Sequence, residues 1–207
     1  MISCGRPPRK STRRSSISRS ASPPLNGSAP PTKRAWPSTG TTVSHPTRAD
    51  LGKLLAELVD GGVELVVVGG AAAVLHGAPT ATFDLDVVPR RTPENAQRLA
   101  AVLARLDASI RDGTDRRLRP DPALLQGPGQ LLLSTSCGPL DLLGCLHDGR
   151  SFDDLIAHTE IVSDGRHDLR VIDLETLIDI KSKAGRAKDK LVLPVLLALK
   201  ARREGQK

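Results

Sequence analysis

The stretch "VVVGGAAAVLHGAPTATFDLDVV", residues 66–88, limits what this chain can fold into more than any other. An apolar strand runs into two glycines and a helix of small residues, and the chain then returns as a second apolar strand carrying two acids. Val66, Val67 and Val68 are consecutive and β-branched, which suits a strand covered on both faces. In "TFDLDVV" a period of two sets Phe83, Leu85 and Val87 on one side and Asp84 and Asp86 on the other. An isolated pair of this kind most often faces water at a sheet edge, so its meaning depends on what else lies in the interior.

A third acid lies there. Asp141 stands in "GPLDLLG" among Leu140, Leu142 and Leu143. An ionised carboxylate in such surroundings is costly unless it is paired or binds a metal. Three acids from neighbouring strands would form the all-oxygen ligand set that Mg2+ prefers, and Mg2+ points to phosphate chemistry. The Gly69-Gly70 step fits that chemistry, because glycines permit close backbone approach and the first amides of a helix attract anionic oxygens. Gly-Gly alone is more often a tight strand-to-helix turn.

The elements around this centre can be placed from periodicity. Leu51, Leu54, Leu55 and Leu58 make one helix face, closed by Gly61 and Gly62. "RTPENAQRLAAVLARL" carries a Thr92 cap, Pro93 in the first turn and a stripe of Leu99, Val102, Leu103 and Leu106. Residues 111–129 predict a long loop, which is uncommon unless functional. "QLLLSTS" and "GPLDLLG" predict a hairpin turning at Gly138-Pro139. "SFDDLIAH" predicts a short helix, and "TEIVSDGRHDLRVI" a hairpin turning at Asp164-Gly165. From about residue 173 two helical segments follow, the second disturbed near Pro194. The fold class is α/β (α+β): a small mixed sheet flanked by helices, with a C-terminal helical segment.

In the first of those segments Leu174, Leu177, Ile178 and Lys181 share one stripe, so Lys181 faces the core. A lysine stem snorkelling to water explains this as well as a phosphate partner does. "KSKAGRAKDK" adds Lys183, Arg186, Lys188 and Lys190 around Asp189; such a run is usually a solvated helix face. His76 reads as a satisfied, half-buried histidine.

Whole-chain charge misleads. The 207 residues carry a formal +7, but residues 1–50 hold nine of the 30 Lys/Arg, eight of the 16 prolines and one acid. The remainder has 21 Lys/Arg against 22 Asp/Glu. Residues 1–46, rich in Pro, Ser and Arg, are expected to be disordered, since they lack apolar surface to offset their ordering entropy. Their composition fits an organellar transit peptide or a start codon placed too far upstream, and the lack of amphipathic periodicity favours the second. Residues 47–207 are expected to form the folded domain. No segment reads as a membrane span, and Cys4, Cys137 and Cys145 show no disulfide or zinc spacing. The expected location is cytoplasmic.

With these residues in view, residues from about 50 to 205 resemble the nucleotidyltransferase superfamily, and within it the AbiEii-like toxins of type IV toxin–antitoxin systems, which include the mycobacterial MenT toxins. The resemblance rests on "VVGGAAAVLHG", "TATFDLDVV", the lone Asp141 and "DLETLIDIKSKAGRAKDK". It implies that Gly69 and Gly70 hold a nucleoside triphosphate, that Asp84 and Asp86 bind Mg2+, and that Asp141 completes the acid set and assists an attacking hydroxyl. Lys181 and Asp189 match the toxins' later lysine and acid, with Arg186 as a further nucleotide contact. Thr82 stands where those toxins keep a hydroxyl that a partner antitoxin can modify. Two positions depart from the pattern: Gly69-Gly70 replaces the usual Gly-Ser, and Thr80 stands in place of an arginine.

The resemblance implies transfer of a nucleotide to a tRNA 3′ end, which would block aminoacylation and hence translation, with a cognate antitoxin as partner. The residues alone support nucleotidyl transfer without fixing its acceptor. A small molecule such as an aminoglycoside, or a protein side chain, is the first alternative. A binding module that has lost its chemistry is the second.

Overall fold

The computed structural model describes residues 45–113 and 117–205. The expected disordered tail therefore lies outside the described residues, apart from His45 and Pro46. The chain is already packed at Ala49, whose amide donates to the Phe83 carbonyl at 2.8 Å, and the Asp50 amide does the same to Cys137.

Helix α1 (Leu51–Asp60) starts where the Asp50 carboxylate accepts from the Lys53 amide, and it buries Leu54, Leu55 and Leu58. Strand β1 (Leu65–Val68) is buried along its whole length and passes directly into α2 (Gly69–Leu75). Strand β2 (Leu85–Pro89) leads to α3 (Pro93–Arg105), capped by Thr92 as its sequence predicts. Next come β3 (Ser109–Ile110), the single turn α4 (Pro122–Leu125) and the hairpin of β4 (Gln130–Thr135) and β5 (Gly138–Leu143). Helix α5 (Phe152–Leu155), with a Ser151–Asp154 capping box, precedes the hairpin of β6 (Thr159–Ser163) and β7 (Asp168–Ile172). Helices α6 (Leu174–Ala184) and α7 (Ala187–Glu204) close the chain. No helix among the described residues is long and apolar enough to cross a membrane.

The seven strands form one mixed sheet in the order β3-β4-β5-β2-β1-β7-β6. Its centre decides the position of the acids. β1 and β2 run antiparallel with Val68 opposite Asp86, and β2 and β5 run parallel with Asp86 opposite Asp141. Residues paired across neighbouring strands project to the same face, so this register places Asp86 and Asp141 side by side.

Four expectations change. Phe83 does not share the inward face of Leu85 and Val87; it is 67% exposed and lies under the Arg48 guanidinium, 5.9 Å from ring centre to Cζ. β1 stops pairing at Val68, opposite Asp86, so residues before Leu85 have no ladder to enforce alternation. The β4–β5 turn is at Ser136-Cys137, not Gly138-Pro139. Thr135 Oγ1 accepts from the Cys137 amide and donates to the Gly138 carbonyl, a side-chain turn that outcompetes the Gly-Pro signal. Residues 111–129 are not wholly loop, since α4 lies within them. The last helix stays helical on both sides of Pro194.

Asn95 brackets the crossing of β1, β2 and α3. It is fully buried, accepts from the Glu64 amide at 2.8 Å, and donates to the carbonyls of Glu64 and Arg90 at 2.8 and 2.7 Å. An Asn95→Leu change takes the side-chain partner from the Glu64 amide and the Arg90 carbonyl, while the Glu64 carbonyl keeps the Arg90 amide, and we expect a loss of about 2 kcal/mol in urea unfolding, against under ~0.5 kcal/mol for the exposed neighbour Gln97→Ala.

Candidate active site

Asp84, Asp86 and Asp141 each offer a carboxylate oxygen, and the three oxygens lie within 4.8 Å of one another. Each acid has its own support. The Thr82 hydroxyl donates to Asp84 Oδ1 at 2.9 Å, the Gly70 amide donates to Asp86, and the Arg111 guanidinium bonds Asp141 Oδ1. Burial, followed by repulsion from Asp84 and Asp141, pushes Asp86 up to about 6, against the pull of Lys188 and the Gly70 amide. Burial also raises Asp141, with Arg111 opposing it. Hard oxygen donors in such a cluster are the set that suits Mg2+ or Mn2+.

The two glycines make room for these groups. Gly69 has φ +66°, and a Cβ there would overlap the Asp86 carboxylate; a Cβ on Gly70 would lie 2.5 Å from Thr82 Oγ1. Gly69 lines one cavity beside the acids and Gly70 another. Thr82 is nearly buried, and its hydroxyl is engaged by Asp84.

Lys181, Arg186 and Asp189 come together at the corner between α6 and α7. Asp189 is fully buried; Lys181 Nζ approaches one of its oxygens at 3.1 Å, and Arg186 Nε approaches the other at 2.7 Å. Burial pushes Asp189 up, but these two cations outweigh it and hold it below the usual carboxylate range. Gly185 ends α6 in the left-handed region and Arg186 leads into α7, so the triad fastens the two helices as one wall of the cleft. Both cations still line that cleft.

Two cavities meet at the acids. One, of about 290 Å3, holds Asp141 over an apolar floor of Leu146, Ile172, Leu177 and Ile180. The other, of about 310 Å3, is bordered by Thr82, Phe83 and Val192. Asp84, Asp86, Lys181 and Lys188 belong to both.

Lys188 and Arg111 are the site residues that sequence reasoning missed. Lys188 is exposed, borders both cavities and pulls on Asp86 and Asp141, yet the helix break at Gly185 cuts the periodicity that would have linked it to Lys181. Arg111 comes from the segment read as loop, and nothing local marks it. His76 lies apart from the site, its Nε2 2.7 Å from the Ile172 carbonyl, and is more deeply buried than expected. His147 and Cys145 line the cavity that holds Asp141.

No protein-family model matches the chain, and no curated protein matches it by sequence. Solved structures do. The lincosamide antibiotic adenylyltransferase LnuA, solved with lincomycin bound, superposes with a TM-score of 0.52 at 14% identity over 75% of this chain and 99% of that one. ANT(2″)-Ia in complex with adenylyl-2″-tobramycin gives 0.47 at 14% over 75% and 95%. TM1012 from Thermotoga maritima gives 0.45 at 19% over 72% and 90%. The mixed sheet flanked by helices, with its C-terminal helices, is a nucleotidyltransferase-like fold.

Between the ordinary carboxylate value and about 6, the folded chain keeps the Asp86 proton and the unfolded chain loses it, so stability of the metal-free protein falls as pH rises through that window. We expect Asp86→Asn to melt above the wild type in EDTA at about pH 7.5, with the gap closing by about pH 4.5. Lys181→Ala leaves a buried carboxylate half-paired and should cost about 3 kcal/mol in urea unfolding, whereas Lys188→Ala should cost under ~1 kcal/mol.

Proposed function

We propose that the chain is a divalent-metal-dependent nucleotidyltransferase that moves a nucleoside monophosphate from a nucleoside triphosphate to a hydroxyl of RNA. The observation that carries this reading is the register of Asp86 opposite Asp141, with Asp84 alongside, in a cleft edged by lysines. A divalent cation held by Asp84 and Asp86, with Asp141 near, would supply positive charge where the phosphoanhydride is broken.

The remaining work belongs to the chain. Thr82 and the Gly70 amide orient Asp84 and Asp86. Lys188, and Lys181 beside it, face the triphosphate and offset the charge of the departing pyrophosphate. The Asp141 carboxylate takes the proton of the acceptor hydroxyl as its oxygen bonds to the α-phosphorus and the bond to the β-phosphate breaks. Holding donor and acceptor in line lowers the barrier further.

RNA as acceptor is supported by the exposed run Lys183, Arg186, Lys188 and Lys190, of which Arg186 and Lys188 line the cleft. Within this reading the acceptor is a tRNA 3′ end and the consequence is blocked aminoacylation, the activity of a toxin held in check by a cognate antitoxin. A second reading, a small-molecule acceptor, draws support from the fold shared with LnuA and from the apolar floor beside Asp141.

The test incubates the full chain with Mg2+, each labelled nucleoside triphosphate in turn, and either total tRNA or a panel of lincosamides and aminoglycosides, beside Asp84→Ala. Label in the tRNA 3′ end from the wild type alone supports the toxin reading. Label only in a small molecule replaces it with the second. No transfer under any condition rejects both.

A further inference from the structure

Arg111 occupies an unusual place. Its amide donates to the Leu132 carbonyl at 2.7 Å, which extends the β3–β4 ladder by one bond beyond Ile110. Leu132 is in turn opposite Asp141 in the β4–β5 pairing. Arg111, Leu132 and Asp141 thus form a row across three strands, and the guanidinium reaches over β4 to the carboxylate. The arginine side chain is 36% exposed and the aspartate only 10%, so the positive charge enters from the solvent edge of the sheet.

The three acids differ in what meets them. Asp84 receives a hydroxyl and Asp86 an amide, both neutral donors that remain useful to a carboxylate binding a cation. Among the described residues, Asp141 is the one of the three in direct contact with a full positive charge. A guanidinium there and a divalent cation among the three oxygens are two ways of offsetting the same negative charge, and they draw on the same carboxylate.

We propose that Arg111 is the resident counter-ion of Asp141 in the metal-free protein and gives up that carboxylate when a divalent cation enters. It is a positioning residue: between turnovers it keeps the third carboxylate aimed into the cleft and satisfied. Because its anchor is a backbone bond at the sheet edge and its side chain is partly in water, release needs a rotamer change and no movement of the core. The inference rests on the metal-dependent reading above.

The test is Mn2+ binding to the full chain, followed by the EPR signal of free Mn2+ without nucleotide, in the wild type, Arg111→Ala, Arg111→Lys, Asp84→Asn, Asp141→Asn and the double variant Arg111→Ala/Asp141→Asn. Removing a competitor tightens binding, so Arg111→Ala should bind Mn2+ about fivefold or more tightly than the wild type, with Arg111→Lys in between. In the Asp141→Asn background the same change should leave affinity within about twofold. Loss of a merely structural contact would weaken binding, so equal or weaker affinity in both Arg111 variants overturns the proposal while leaving the metal site in place. Absence of a saturable site in the wild type, or unchanged binding in Asp84→Asn, overturns the metal reading itself and this inference with it.

Discussion

Like charges held together in a half-dry place repel, and the centre of this sheet is arranged around that fact. Pairing between β2 and β5 puts Asp86 against Asp141, and the bend before β2 brings in Asp84. Nothing in the strands themselves favours such a meeting. It is made tolerable by a hydroxyl, an amide and a guanidinium, each arriving from a different segment, and by a lysine farther off. Two glycines follow from the same need, since any side chain at either position would displace an acid or the threonine that steadies one. A cluster that costs folding energy and is supported this carefully reads as a binding centre for positive charge.

The helical corner answers a different problem. Asp189 is wholly buried, and its two cations come one from the end of α6 and one from the entry to α7. The pairing sets the angle at which α7 leaves, and it leaves Lys188, one residue before Asp189, exposed beside the acids. Lys181 serves mainly to hold Asp189. The neighbour with less local support has the freer charge.

Much of this was legible in the sequence because the signals were local. Thr92 caps its helix by a bond three residues long, and the run of valines in β1 reads as a buried strand from its composition. The three acids stood out because carboxylates in apolar runs need an explanation. What escaped depends on partners far along the chain. Arg111 finds Asp141 thirty residues on and across an intervening strand. Phe83 turns outward because β1 ends, which "TFDLDVV" does not itself contain. The β4–β5 turn was misplaced for a smaller reason: a threonine hydroxyl bonding both ways across it outweighed a Gly-Pro pair.

The parallel pairing of β2 with β5 also governs when the centre can exist. Its acids lie at 84, 86 and 141, its cations at 111, 181 and 188, and α3, β3, α4 and β4 separate the two acid-bearing strands along the chain. On a ribosome the first two carboxylates emerge long before the third, and the lysines later still. A nascent chain therefore carries the pieces of the cleft unjoined from the emergence of Asp84 until that of Lys188, and one interrupted between them never joins them. Whatever chemistry the centre performs begins only once synthesis has passed the first turn of α7.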